Sequence, residues 1–577
     1  MGALRANRGN RVIRARRTGR TSKTWKLLTL GLSLTLVLAA CGGGDDDDGG
    51  TGQSEENGGD DDAREQPDEA EGDPVPGGDI SYGIEAETDG LNPTVNRFAI
   101  AGVEMGKAVF DTLTAFDENG VAVPYLAESM TANADNTEWT IKLRPGITFH
   151  DGTPLTAEAI KVHFEGILAD PLTSLVPKWI FDGTTPVTVV DELTATVKMN
   201  SSVATFPQWL TAQFGMIASP TWIAAAKDDE TLNQEPVGTG PFKYESRTIN
   251  DRTKFVKNPD YWQEGFPYLD SVEFVVVTDA QIRAQNLLAG DIDILHTTQG
   301  ESIADFRDNS DVRLYEDDIN EESFLMMNLE KPPFDDLRAR QALAMSTDRQ
   351  EYIDLTNGGV GVVANSIFAP GHIFDSGVDN FPAYDPAGAV ALVEEYCGEV
   401  PDQCDGGKLK FEYKNTPSPD ADIAFQTLTD QWREVATMTY TPVEQASYIT
   451  EAALGNFQIL AWRQFGALDP DYDATFLDQR SLGAISINWP RLDSDEIQAL
   501  LLEQRASSDM EERKEIWGQI NTLINEQVPY IWLYHTDWAI AAQPELQDVV
   551  EATLPDGQAA YPVAEGRHFL HQIWIEQ

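Results

Sequence analysis

The chain has 577 residues, of which 95 are Asp or Glu and 41 are Lys or Arg, for a formal charge of −54. That balance argues against nucleic acid as a partner, which needs a basic footprint, while a hydrophobic content of 41% is that of a chain that folds. Three cysteines, at 41, 397 and 404, exclude a scaffold built on disulfides.

The charge is unevenly placed. Residues 1–40 hold nine basic residues and no acid, and 27–40 form an apolar run too short to span a bilayer but right for the core of a signal peptide. The run ends Leu38-Ala39-Ala40-Cys41, which resembles the lipobox of bacterial lipoproteins and implies a lipidated Cys41. Residues 41–78 are rich in Gly, Asp and Glu and contain nothing apolar bulkier than Val75, so they read as a disordered acidic tether. Residues 79–577 keep a net charge of −50, which favours solubility and a salty medium.

Within the body, 80–86 reads as a first strand ending at the turn Asp89-Gly90. In 138–144, Trp139, Ile141 and Leu143 alternate with Thr140, Lys142 and Arg144, the period of a half-buried strand. His150-Asp151 looks like a fragment of a catalytic dyad, but Asp151-Gly152 is better read as a turn with positive φ at the glycine. Segments 187–190 and 194–199 flank Asp191-Glu192 as a hairpin. Gly238-Thr239-Gly240-Pro241 lacks the Lys of a phosphate loop and reads as a rigid crossover. The apolar run 273–277 predicts a strand covered on both faces. Helices are predicted over 335–347, 386–396, from the cap Ser494, and over 510–527 before Pro529, while Gly359-Val360-Gly361 reads as a mobile loop. Cys397 and Cys404 are expected to form a disulfide outside the cytoplasm. His568 and His571 could share a metal on a helix but not on a strand, and no metal or other cofactor is expected.

Several runs go beyond generic patterning: 124–129 with 139–158 (WTIKLRPGITFHDGTPLTAE), 237–242 (VGTGPF), 258–262 (NPDYW), 289–293 (AGDID), 333–344 (PFDDLRARQALA) and 469–471 (DPD). In this order they closely resemble the family 5 extracellular solute-binding proteins, the oligopeptide, dipeptide and nickel receptors of bacterial ABC importers. The resemblance implies an α/β, type II periplasmic-binding-protein fold, with two lobes on a hinge and an extra third domain. Lobe I is expected at 79–108, 232–322 and 531–577, the extra domain at 109–231 and lobe II at 323–530. It further implies a monomeric, lipid-anchored receptor on the outer face of the cytoplasmic membrane. Such a receptor captures a peptide-like, oligosaccharide or other organic solute and delivers it to permease subunits driven by cytoplasmic ATPases.

In peptide-binding members of that family a loop led by Trp carries, three residues on, an acid that pairs with the peptide's α-ammonium. Here the loop runs Trp462-Arg463-Gln464-Phe465, with Asp469 in the following turn. These five are the expected ligand-binding residues. An aromatic, a cation and an amide suit a neutral or anionic ligand, and Phe465 in place of the acid leaves an ammonium without a partner; alternatively Phe465 only packs the loop. A secreted hydrolase is the runner-up from another class, but no acid pair has a supporting motif and no Gly-x-Ser-x-Gly elbow occurs, so no catalytic residue is assigned. A sensor or chaperone on the same fold is the third reading.

Overall fold

The computed structural model describes residues 72–171, 173–317, 321–564 and 566–576. The signal segment, Cys41 and most of the acidic tether lie outside them. The tether's last residues already belong to the body, where the Gly77 amide donates to the Tyr268 carbonyl at 2.8 Å.

Three sheets organise the body. The first has seven strands in the order Arg313–Glu316, Ala539–Ala542, Ile294–Thr297, Asp79–Ile84, Ser271–Val276, Arg252–Lys257 and Phe242–Thr248. Asp79–Ile84 runs parallel to both neighbours and the remaining pairs are antiparallel. The second sheet is ordered Val362–Val363, Tyr530–Thr536, Glu321–Met327, Ile459–Gln464, Lys408–Asn415 and Cys404–Asp405, with Ala436–Pro442 also paired to Lys408–Asn415. The third has four strands, Ala127–Ala132, Glu138–Leu143, Thr194–Lys198 and Val187–Val189, and the expected hairpin is its outer pair. Helix Ala157–Ala169 supplies Ile160 and Phe164 to the core it shares with Ile141, Leu143 and Trp209.

The chain passes from the first sheet to the second between Glu316 and Glu321, and returns between Thr536 and Ala539. The ends of the two passages lie side by side, since Glu316 pairs with Ala539 and Glu321 with Thr536. Tyr530–Thr536 thus completes the second sheet, six residues beyond the change near 530 that the sequence suggests.

Local chemistry accounts for the best-defined helices. Met510–Gln527 begins at Asp509, whose carboxylate accepts from the amides of Glu511 and Glu512; it buries Ile516, Trp517, Ile520 and Ile524. It stops where Val528 takes φ 48° before Pro529, because the residue before proline is driven out of the helical region. Asp495–Ala506 is capped by the Ser494 hydroxyl, Leu337–Met345 by Asp336 and Pro386–Glu399 by Asp385.

The turns within the motifs are structural. Asp151 accepts from the Thr153 amide and from the Ser219 hydroxyl at 2.7 Å, with Gly152 at φ 81°. Burial raises the Asp151 pKa, but the bonds from Thr153 and Ser219 outweigh it and hold the carboxyl below its usual range. His150 is turned away, with Nε2 2.9 Å from the Gly240 carbonyl. Gly238 and Gly240 sit against the Val109 backbone so closely that a Cβ would come within 2.2 Å and 2.4 Å of it, which makes this crossover rigid.

Two expectations need correction. Ser271–Val276 buries Val272 and Phe274 but leaves Glu273, Val275 and Val276 half-buried, so only one of its faces is fully covered. The Gly359–Gly361 segment is packed, with Val360 buried beside Ile303 and Phe306 and with Gly361 against the Tyr534 ring. Cys397 and Cys404 are bonded, tying the end of helix Pro386–Glu399 to the edge strand of the second sheet.

Candidate functional site

A cavity of about 740 Å³ is lined from every part of the body: Arg97 and Lys107, Trp209 and Gln213, Tyr448 and Trp462, Tyr534, and Tyr561 and Phe569. Trp462, Arg463 and Gln464 end the central strand Ile459–Gln464, rather than forming a loop. They pair in register with Phe324, Ser323 and Glu322. The strand has no clean alternation because it is flanked on both edges and buried at its start.

Trp462 is half-buried at the cavity wall. Its ring stacks on Tyr448, with centroids 5.5 Å apart and planes 19° apart, and leans on Trp489 at 5.7 Å. The indole N–H donates to Gln464 Oε1 at 3.4 Å, so the ring is pre-positioned with little rotamer freedom left to lose.

Arg463 also lines the cavity, but its charge is committed. Nε lies 2.7 Å from Glu321 Oε2, Nη1 donates to Thr298 Oγ1 at 2.8 Å, and the guanidinium lies 5.2 Å from the centre of the Trp538 ring. Asp469 is buried and forked onto Arg513 at 2.6 and 2.7 Å, so its carboxylate anchors the loop. Its neighbour Asp471 is a fully buried hub. It accepts from Thr205 at 2.6 Å, Trp209 at 2.8 Å, Arg505 Nε at 2.9 Å and Gln504. Burial raises the Asp471 pKa, but Arg505 and those donors overcome it and hold the carboxyl below its ordinary range.

Phe465 is the clear correction. It is 4% exposed and packs on Phe324, Tyr530 and Trp532, 5.8 to 6.2 Å between ring centres. It does not line the cavity. Its φ of 73° turns the chain at the end of the strand and swings the side chain into the core, a conformation that costs a non-glycine residue ~1–3 kcal/mol. Phe465 therefore cannot be what rejects an ammonium group.

Sequence reasoning missed the cationic side of the cavity. Lys107, on helix Ile100–Val109, lies 4.6 Å over the Phe569 ring. Burial pulls its pKa down to about 8, with Glu104 opposing. Burial also pushes Glu104 up to about 7. Arg97 precedes the same helix on the segment after the first strand. The available signal was scarcity, since a base in so acidic a body is rarely incidental. His568 and His571 are buried apart from the cavity wall, His568 Nδ1 facing the Val549 carbonyl and His571 Nε2 facing Gln572. Among the described residues, no three His, Cys, Asp or Glu side chains gather as a metal site requires.

Residues 121–481 match the family described as bacterial extracellular solute-binding proteins, family 5 Middle. The chain is 25% identical over 464 residues to the nickel-binding periplasmic protein of Escherichia coli strain K12, covering 77% of this chain and 87% of that one. It is 26% identical over 463 residues to di/tripeptide-binding protein 1 of Pseudomonas aeruginosa, covering 74% and 84%. Among solved structures, the periplasmic binding protein DppA of Helicobacter pylori with the peptide STSA superposes at a TM-score of 0.76 and 19% identity, over 87% of this chain and 99% of that one. The AgaA protein of A. tumefaciens R10 with agropinic acid gives 0.73 at 22% identity, over 87% and 99%. At those identities the likeness establishes the fold, the type II periplasmic-binding-protein architecture.

Proposed function

The chain belongs to the family 5 bacterial extracellular solute-binding proteins, and we propose that it is a receptor, lipid-anchored at Cys41, that encloses one organic solute between two lobes. It then delivers that solute to the permease of an ABC importer. The lobes are built on the first and second sheets, with 109–231 as the extra domain, and the hinge lies where the chain crosses between them, beside the pairs Glu316–Ala539 and Glu321–Thr536. The observation that carries this reading is the cavity: its volume fits a small organic molecule, and its wall draws on both sheets and the extra domain. Relatives named for nickel, di- and tripeptides and haem mark how widely ligands vary on one scaffold, so the site must decide the ligand.

The aromatic wall supplies the contact area. Trp462, held by Tyr448 and Trp489, offers a rigid face to a ring or aliphatic chain. Asp469, Arg463 and Phe465 act indirectly, through loop anchoring, the contact to Glu321 and packing of the core. Native mass spectrometry of the full chain, gently extracted in detergent, tests the reading. One small molecule per chain is expected in the unaltered protein and much less in Trp462→Ala. A chain empty in both forms, and indifferent by calorimetry to peptides, opines and oligosaccharides, refutes it.

A further inference from the structure

Acids outnumber bases by more than two to one along this chain, so carboxylates are abundant as partners for its cations. The other cations of the cavity wall have partners. Arg463 is paired with Glu321, Arg567 donates to the Ala564 carbonyl at 3.0 Å, and Lys107 lies on Phe569 under the influence of Glu104. Arg97 is different. It is half-buried on the cavity wall, yet it makes no hydrogen bond or ion pair with any described residue. Burial lowers its pKa, and among the described residues only Tyr472 pulls the other way. A guanidinium stays charged in any case, so its donors are left to solvent in the cavity and open to an incoming anion.

The backbone on either side of Arg97 is fixed. The Gln213 amide donates to the carbonyls of Pro93 at 3.1 Å and Asn96 at 2.7 Å, and its carbonyl accepts from the Phe98 amide at 3.0 Å. One side chain from the extra domain thus grips the segment before and after Arg97. Upstream, the Asn92 side chain accepts from both the amide and the hydroxyl of Thr94. A fixed segment presenting an unpaired fork of donors to a ligand-sized cavity is pre-organised for a planar anion.

We propose that Arg97 is the anion anchor of the solute site, and that the solute carries a carboxylate which the Arg97 guanidinium receives. The proposal rests on the receptor reading above and narrows its ligand to an organic acid, whose remaining body lies along Trp462 and the aromatic wall.

The test uses the full chain in detergent and two matched pairs of probes. These are an N-acetyl tripeptide as free acid and as C-terminal amide, and a neutral trisaccharide with its uronic-acid counterpart. Calorimetry should show at least one acid binding roughly tenfold or more tighter than its neutral partner, the scale of a hydrogen bond to a charged group. Arg97→Gln should bring that pair within about threefold, and Arg97→Lys should keep part of the preference. Because Arg97 has no partner to lose, Arg97→Gln should melt no lower than the unaltered chain when empty, which separates an anchor from a structural arginine. Equal binding of acid and neutral probes, unchanged by Arg97→Gln, overturns the anchor and leaves the receptor standing. If no probe binds, a co-purified molecule decides: one with a carboxylate, lost from Arg97→Gln, supports the anchor, and one without overturns it. A chain that binds no probe and carries no molecule removes the receptor reading and the anchor together.

Discussion

Asp471 offers the sharpest test of how the cavity wall is held. Its carboxylate joins Thr205 and Trp209, from the region around the third sheet, to Arg505 and Gln504, on a helix beyond the cavity loop. Arg505 is 1% exposed, and its two terminal nitrogens already lack partners, so no spare acceptor stands ready if Asp471 goes. Asp471→Ala leaves that guanidinium buried and uncompensated, which costs ~3–5 kcal/mol. The Thr205 hydroxyl and Trp209 indole add ~1–3 kcal/mol each if dry. A water filling the space of the lost carboxylate relieves part of this, so the expected total is about 5 kcal/mol, a large share of a typical domain's ~5–15 kcal/mol. Urea unfolding at pH 7.5, followed by tryptophan fluorescence, reads the loss directly. Replacing both partners, Asp471→Ala with Arg505→Met, should recover much of it, because removing a buried pair costs less than breaking one. A single-variant loss under about 1 kcal/mol, or a double variant weaker than the single, would refute this account.

Trp462→Ala should weaken solute binding by ~2 kcal/mol or more, the scale of an aromatic hot spot, while shifting the melting temperature little; unchanged affinity would place the solute elsewhere. Under the lipid anchor proposed at Cys41, which would hold at ~0.8 kcal/mol per buried methylene, Cys41→Ser should move the protein from the membrane fraction to the medium. Burial lowers His150, His163 and His372 to about 4 and His535, His568 and His571 to about 3. The stability tied to keeping them neutral is therefore complete above their ordinary ~6.5 and is lost as pH falls toward those values, by ~1.3 kcal/mol each at pH 5.5. Glu104, raised to about 7, and Asp111, raised to about 6, work the other way and return ~2 and ~1 kcal/mol as they take their protons, so unfolding free energy should drop by about 5 kcal/mol from pH 7.5 to 5.5. A flat or rising profile would count against buried neutral histidines.

What could be read from the sequence was what local chemistry dictates. Met510–Gln527 carries its own cap, apolar stripe and stop, and Glu138–Leu143 its alternation, so both needed no tertiary information. The motifs carried the family and singled out Trp462, but as part of a loop where the structure has the strand Ile459–Gln464. The fate of each side chain along that strand was not legible. Whether Phe465 faces cavity or core depends on one positive φ and on rings from Phe324, Tyr530 and Trp532, distant in sequence. Arg97 stands out only once Gln213, more than a hundred residues away, is seen to hold its segment and no acid among the described residues is seen to pair with it. Contacts of that range are invisible to a local pattern.

Arg463 lines the cavity, and its committed charge gives it a second place, between the first and second sheets. It extends from the second sheet, takes Glu321 where the chain has just entered that sheet, and reaches Thr298 and Trp538, which follow and precede strands of the first. Its side chain therefore fastens one sheet to the other beside the passage proposed above as the hinge. A half-exposed ion pair contributes ~0–1 kcal/mol and the ring contact ~0.5–1 kcal/mol, so Arg463→Ala should forfeit about 1–2 kcal/mol of the closed arrangement. Stopped-flow kinetics with a solute that binds the unaltered chain separates this role from direct contact. Loosening the fastening should speed dissociation by roughly five- to thirtyfold and leave association within about threefold, since solute enters before the lobes close. The loss should also shrink at high salt for the ionic part and persist for the stacking part. Slower association with unchanged dissociation would mean that Arg463 steers the solute instead, and the hinge role would fall.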